Sequence, residues 1–456
     1  MNQKIIKTDV AVLGGGPGGI AAAVAAARQG VKVLIVERMG FLGGNLVTGL
    51  PLLAYLDSQG RQVIGGFAQE LVDRLIKIDG CYGHRVCPFH NSTTVINPQY
   101  ARIACFEMVK ENNIDLMLHC EVTGTKVING KIETVTVVGK GTEYEIEAKV
   151  FVDATGDGDV AYMAGARFEK GQKESGVLQP PTLMFDLGGI NFEEFFDYLE
   201  KHPEELPYGS NLTHIRPGYD GKFFRESPNH VFFGLKALIA KLREEGKCPI
   251  DRDTVIYIRQ PISDHVVINT IRILNFDGSD IHDLSRGELE GHLQILPIVN
   301  MLKKHVPGFE NCYLSSINPF IGVRESRRII GRKMLSKDDV IAGVIPEDTI
   351  ALGSYIIDIH SGDGNGTYIR NLDGPYGIPY GCVLSSDIDG LMLTGRCISV
   401  DAVSFGSTRI MPTCMAVGEG AGVGAALAVK QEISPYDVNT EQIKEILLKN
   451  KAILNI

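Results

Sequence analysis

An α/β fold, with a dinucleotide-binding domain assembled from both ends of the chain around an inserted α+β domain, is predicted by three observations. Residues 8–36 read as strand, glycine loop, alanine-rich helix and β-branched strand, and the loop is Gly14-Gly15-Gly16-Pro17-Gly18-Gly19. Glycine-bearing segments of the same kind resume near residue 321 and end in an alanine- and glycine-rich helix over 411–430. Between them, residues 168–312 carry few such signatures and alternate helical stretches with strand-like runs. A chain of 456 residues has room for two or three domains at ~150 residues each. The expected division is a nucleotide domain in two parts, 1–167 and 313–430, an inserted substrate domain, 168–312, and a helical tail, 431–456.

The elements follow in order. After the first strand, helix and second strand, helical periodicity returns over 63–78, and a Cys/His-rich loop leads to a helix over about 99–112. Short strands over 116–118, 122–128, 132–138 and 144–148, separated by Asn129-Gly130 and Gly139-Lys140-Gly141, predict an antiparallel ribbon. A buried strand over 150–153 runs into Ala154-Thr155-Gly156-Asp157-Gly158-Asp159. Within the insert, helices are expected over 232–245 and 286–305, and strands over 254–259 and 265–274.

Composition excludes several classes. With 45 basic and 55 acidic side chains the net charge is -10, which offers no basic footprint for a phosphate backbone or an anionic membrane surface. Nine cysteines at irregular spacings fit reduced thiols of a cytoplasmic protein better than a disulfide framework. The N-terminus lacks the pattern of a secretory signal, since Asp9 interrupts the first strand and glycines follow at once. The apolar run over 20–27 is too short to span a bilayer, and no other span is expected.

The motifs point to a cofactor. The first glycine of the G-x-G-x-x-G spacing permits a tight turn, the second lets backbone N–H groups approach a pyrophosphate, and the third lets helix and strand pack closely. Glu37 ends the second strand, where a carboxylate accepts both ribose hydroxyls and repels a 2′-phosphate. Nicotinamide and flavin proteins share these features; the later segments favour flavin. Gly43-Gly44-Asn45-Leu46 allows close passage of a second phosphate and a planar ring, and Ala154-Thr155-Gly156 ends a strand beside the adenine-ribose part. Leu393-Thr394-Gly395-Arg396 ends another strand, and the helix after Gly406-Ser407-Thr408-Arg409 would aim its N-terminal partial charge at a reduced flavin. The expected contacts of FAD are Gly14, Gly16, Pro17, Gly18, Glu37, Arg38, Gly43, Gly44, Asn45, Leu46, Val122, Ala154, Thr155, Gly156 and Asp159. Gly395, Arg396, Ser407, Arg409, Met411, Pro412 and Thr413 complete the set.

Taken with Gly322-Val323-Arg324-Glu325-Ser326-Arg327-Arg328, Asp358-Ile359-His360 and Gly395-Arg396-Cys397, these motifs resemble FAD-dependent oxidoreductases of the glutathione-reductase-like superfamily, in the branch near fumarate reductase flavoproteins. The resemblance covers both chain ends and implies a Rossmann-like FAD-binding domain, an inserted substrate domain and an active site between them. The sequence departs from these relatives in three places. No cysteine pair follows Glu37, so dithiol relay is not supported; no histidine occurs between Met1 and Gly83, so covalent flavin attachment there is not supported; and Asp401-Ala402 stands where relatives carry Thr-His.

For the chemistry, His360 sits at a predicted strand end, and an ordinary imidazole pKa near ~6.5 suits proton transfer coupled to hydride transfer. Arg324, Arg327 and Arg328 crowd one predicted helical turn, where Arg324 or Arg327 would clamp a substrate carboxylate or the cofactor pyrophosphate. Cys81, His84, Cys87 and His90 fall at three-residue intervals that match no metal motif, and Pro88 prevents a continuous helix from presenting all four; no metal is expected, and the segment is a candidate border of the substrate pocket. The expectation is therefore an FAD-dependent oxidoreductase moving hydride between flavin N5 and a small, anionic organic substrate, with an unidentified electron donor or acceptor. The alternatives are a flavoprotein electron-transfer subunit serving a partner protein and a flavin-assisted nucleic-acid modification enzyme, which the acidic balance disfavours.

Overall fold

The computed structural model describes residues 4–207, 215–262, 264–364 and 366–456. Five parallel strands form the central sheet, in the spatial order Leu391–Leu393, Val150–Asp153, Val10–Leu13, Val33–Glu37 and Asp115–Leu118. Val10–Leu13 and Val150–Asp153 are buried throughout, as strands covered on both faces must be. From Val10–Leu13 the chain builds outward to one side and then returns to build on the other. The crevice beyond the carboxyl ends of Val10–Leu13 and Val150–Asp153 is thus the topological switch point, where open α/β sheets place their ligands.

Two helices close one face of this sheet. Pro17–Arg28 and Met411–Gln431 pack along each other so tightly that a Cβ on Gly418 would meet Gly18 O at 2.2 Å and one on Gly422 would meet Ala22 O at 2.1 Å. The small residues of both helices therefore set the approach of the two chain ends. Met411–Gln431 is also long and apolar enough to cross a membrane, with mean hydropathy 1.2, but 89% of that window is buried inside the fold. By sequence only the shorter run over 20–27 is expected to stand out. The tail helix Thr440–Lys449 adds Ile443 and Leu447 to the same core.

A second core belongs to the insert. Its sheet is antiparallel, in the order Val231–Gly234, Val255–Arg259, Val266–Ile268, Phe185–Gly188, Tyr313–Ile317. Phe195, Phe232, Tyr257 and Phe309 pack on one face of it. All nine cysteines are free thiols, so no disulfide constrains either core.

The α/β class is as the sequence predicts, but several elements differ in detail. The expected helix over 232–245 is a strand, Val231–Gly234, followed by the helix Lys236–Glu244. The β-branched and aromatic Val231-Phe232-Phe233 run pairs with Val255–Arg259, and Leu235 at φ 61° breaks the path between the two elements. Only Val266–Ile268 of the expected strand over 265–274 is extended in register. The helix expected from 286 starts at Ile281, because the Asp280 carboxylate accepts from His282 N and Asp283 N. Residues 116–118 join the parallel sheet rather than the ribbon, whose fourth strand is Lys4–Lys7, parallel to Thr142–Glu147.

Candidate active site

The first cavity, about 180 Å³, lies at the switch point. Gly14, at φ 116°, could not carry a side chain, because its Cβ would stand 2.2 Å from Ala154 O; this contact brings the two strand ends together. A Cβ at Gly16 or Gly395 would meet nothing within 4 Å, so both glycines keep open space that a ligand backbone can fill. The helix behind Gly16 starts with Pro17 and no side-chain cap, and its first N–H groups are left for a ligand. Glu37 closes the other side, accepting from Gly15 N at 2.7 Å and Met39 N at 2.8 Å.

The Ala154–Asp159 segment is held by its own side chains. Buried Asp153 accepts from Thr155 N, Thr155 Oγ1 and Ala161 N, and Thr155 Oγ1 accepts from Asp159 N. Burial pushes the Asp153 carboxyl up to about 6. Across the cavity Arg396 Nη2 donates to Asp157 Oδ1 at 2.9 Å.

Of the expected cofactor contacts, Gly14, Gly16, Pro17, Gly18, Glu37, Arg38, Gly44, Asn45, Val122, Ala154, Thr155, Gly156, Asp159, Gly395, Arg396, Arg409 and Met411 line this cavity. Gly43, Leu46, Ser407, Pro412 and Thr413 stand behind its wall. Leu46 is in the core. Ser407 lies in the helix Ala402–Thr408, where a loop was expected, and is engaged by Tyr376 Oη and Tyr355 O. Pro412 and Thr413 form the buried first turn of Met411–Gln431, which also has no side-chain cap. Sequence reading missed Phe320, Val323 and Cys414 as lining residues. Nothing in their spacing marks them, because Phe320 and Val323 come from the irregular segment before Arg327–Ile329 and Cys414 from the helix Met411–Gln431.

A second cavity, about 480 Å³, opens beside the first and shares Asn45, Val323, Arg396, Arg409 and Met411 with it. It lies between the nucleotide domain and the inserted sheet. His360, at the end of the strand Ile357–His360, lines it. Its Nε2 is 3.4 Å from Asp358 Oδ1, and Thr367 Oγ1 is 3.3 Å from its Nδ1. Burial, partly offset by Asp358, holds the imidazole down at about 4, so the ordinary value near ~6.5 expected from sequence does not apply. Asp358 stays ionised, well below the usual carboxylate range, because His360, Arg409 and Arg324 outweigh its burial.

The arginines separate. Residues 322–326 are not helical, and Arg327–Ile329 is a strand paired with Phe168–Lys170. That extended path corrects the helical turn expected for Arg324, Arg327 and Arg328. Arg324 lines the second cavity, where Nη1 donates to Pro180 O. Burial, with Arg409 and Arg252 nearby, pulls its guanidinium down to about 9. Arg327 turns away, donating to Asp159 Oδ1 at 2.7 Å and Asp157 O at 3.1 Å and stacking over Tyr162 at 4.2 Å. Arg328 is paired with Glu325.

The Cys/His segment divides too. His84 lies between Gln69 and Thr94 and stacks on Tyr55, while Cys81 accepts from Gly83 N. Cys87 Sγ is 3.7 Å from His90 Nδ1, and His90 lines the second cavity. Among the described residues no three His, Cys, Asp or Glu side chains converge on a metal position.

A parallel sheet with a glycine-lined cleft at its switch point, an acidic strand end and two uncapped helix N-termini defines a flavin-nucleotide protein of Rossmann-like fold. Buried polar atoms without a protein partner, among them Asn45 Oδ1, Arg396 Nη1, Thr394 Oγ1 and Arg409 Nε, fit such a ligand. The model of the FAD dependent oxidoreductase family matches residues 9–447, and the chain belongs to that family. It is an FAD-dependent oxidoreductase. Among solved structures it is similar to p-nitrophenol 4-monooxygenase from Pseudomonas putida, at 12% identity over 98% of this chain and 85% of that one, with a TM-score of 0.50. It is also similar to a geranylgeranyl bacteriochlorophyll reductase-like protein from Thermoplasma acidophilum, at 13% identity over 98% and 85%, with a TM-score of 0.48. No curated protein matches the chain.

Proposed function

We propose that this enzyme moves a hydride between flavin N5 and a small organic anion seated in the second cavity. One observation carries the reading: the half-buried Arg324 guanidinium donates to a neutral carbonyl, Pro180 O, and shares the single carboxylate of Asp358 with His360 and with Arg409, which adjoins both cavities. Two guanidiniums around one carboxylate leave positive charge in excess in a poorly solvated site, and a substrate carboxylate relieves that cost. When bound, FAD supplies the two-electron carrier at the wall the cavities share.

The protein's own groups then divide the work. Arg324 orients the anion by a planar, paired contact. Neutral His360 accepts the proton at Nδ1 once Thr367 yields its hydrogen bond, and Asp358 at Nε2 supports the resulting charge. Apolar walls and the insert exclude water. The nearer kinship to fumarate reductase flavoproteins, and the domain limits at 167/168 and 312/313, are parts of this same reading.

Anaerobic mixing of the holoenzyme with carboxylate substrates and their methyl esters tests it, with the flavin absorbance as readout. Carboxylates alone should change the flavin oxidation state. Equal reaction of the esters overturns the anionic assignment.

A further inference from the structure

The inserted sheet gives the second cavity a chemical polarity. Strands Val231–Gly234 and Val255–Arg259 alternate, so Phe232 and Tyr257 stack at 4.7 Å in the insert's core while Phe233 and Ile256, paired in register, turn to the cavity. Leu53 and Ile369, both half-buried, extend this apolar wall. Beside it stands Arg252, from the loop before the second of these strands. It is 7% exposed and lines the cavity, where its guanidinium feels Arg272 on one side and the carboxylates of Asp253, Asp358 and Asp251 on the other. Its own carbonyl is held by Arg243 Nη2 at 2.7 Å, which fixes the loop. Arg272 is partly neutralised by Asp251 at 3.2 Å, and its Nε remains buried without a partner. Six arginines against three aspartates line the cavity, so its charge is unbalanced toward an anion. The volume of about 480 Å³ falls within the ~300–1,000 Å³ of cavities that enclose drug-sized ligands.

We propose that the substrate is an amphipathic organic acid of medium chain length, with its anionic group at Arg252 and Arg324 and its hydrocarbon body along Phe233, Ile256, Leu53 and Ile369. This rests on the anionic reading of the site and adds Arg252 as a second anchor and the sheet as a length gauge. Burial of Arg252, with Arg272 nearby, pulls its guanidinium down to about 10, outweighing the attraction of Asp253, Asp358 and Asp251.

Calorimetric titration of the FAD-bound protein with butyrate, hexanoate, octanoate and octanamide tests the inference without requiring turnover. Each methylene buried should tighten binding about fourfold, and octanoate, four methylenes longer, should bind about 250-fold more tightly than butyrate. Octanamide should bind at least tenfold more weakly than octanoate. Arg252→Gln should weaken octanoate at least tenfold while the FAD content stays at one per chain. Phe233→Ala should flatten the chain-length series. Equal affinity for butyrate and octanoate in the wild-type protein, or octanoate binding unchanged by Arg252→Gln, overturns the inference while leaving a small-anion site at Arg324 intact. Failure of every acid to bind overturns the anionic reading itself, and the inference with it.

Discussion

His360 Nε2 stands 3.4 Å from Asp358 Oδ1, and the same residue's Oδ2 takes Arg409 Nη2 at 3.3 Å and Tyr355 Oη at 3.4 Å. The carboxylate is thereby fixed between a cation and the ring it orients. With the imidazole held at about 4, the base form is present through neutral pH and is lost only as pH falls through that value. The profile of kcat/KM should therefore be flat from about pH 5 to neutrality on this limb, with its acid fall near pH 4. A fall centred near the ordinary histidine value assigns the limb to another group.

His360→Ala should keep FAD and the fold but slow substrate-dependent flavin reduction or reoxidation by ~10²–10⁴-fold. Rapid mixing of the holoenzyme with substrate reads this directly, and an unchanged rate makes His360 structural.

Arg324→Gln removes the charge but retains a donor near Pro180 O. The expected loss is about 1.5–3 kcal/mol of anion binding, a tenfold to hundredfold rise in KM, with a smaller fall in kcat from misalignment. Arg327→Gln, whose parent side chain holds Asp159, should act through FAD affinity, measured by release of the cofactor on dilution.

Gly14 and Gly16 make opposite predictions two residues apart. Gly14→Ala forces a Cβ to 2.2 Å from Ala154 O at φ 116° and should cost roughly 3–5 kcal/mol of stability. At Gly16, where a Cβ meets nothing within 4 Å, Gly16→Leu should leave the thermal midpoint of the apoprotein near the wild-type value and abolish FAD uptake by filling the cleft.

Glu419 is buried in the Met411–Gln431 helix and accepts from Phe67 N and Asn450 Nδ2. Burial pushes its carboxyl up to about 7. The folded state then binds the proton more tightly than the unfolded state, so the contribution of Glu419 to stability is full at acid pH and is lost as pH rises from about 4.5 through 7. Glu419→Gln should remove that slope, about 3 kcal/mol at its full extent, in denaturant titrations at pH 5 and pH 8.

The nucleotide cleft was legible because its requirements are local. A turn at Gly14, a carboxylate at Glu37 and a capless helix at Pro17 leave marks within a few residues of one another. The second cavity was not, since it is made by tertiary contact. His360 was found from its motif with Asp358, but its burial beside Arg252 and Arg324 comes from two distant segments. Arg252 carries no mark at all in its own sequence neighbourhood. Arg327 was misread because a run of charged residues looks alike on a helical turn and in an extended segment; pairing with Phe168–Lys170 decided it. The strand Val231–Gly234 was misread for a similar reason, since a short apolar run has no period to distinguish strand from helix.

The anionic seat beside the flavin is tested most directly by titrating wild-type and Arg324→Gln holoproteins with a carboxylic acid and its primary amide, following the visible absorbance of the bound FAD. The acid should perturb the wild-type spectrum with saturation, and the amide should not. Arg324→Gln should retain its FAD and lose the acid response. The same saturable response to the amide, or an acid response unaltered in Arg324→Gln, would contradict the assignment of Arg324 and of the cavity it lines.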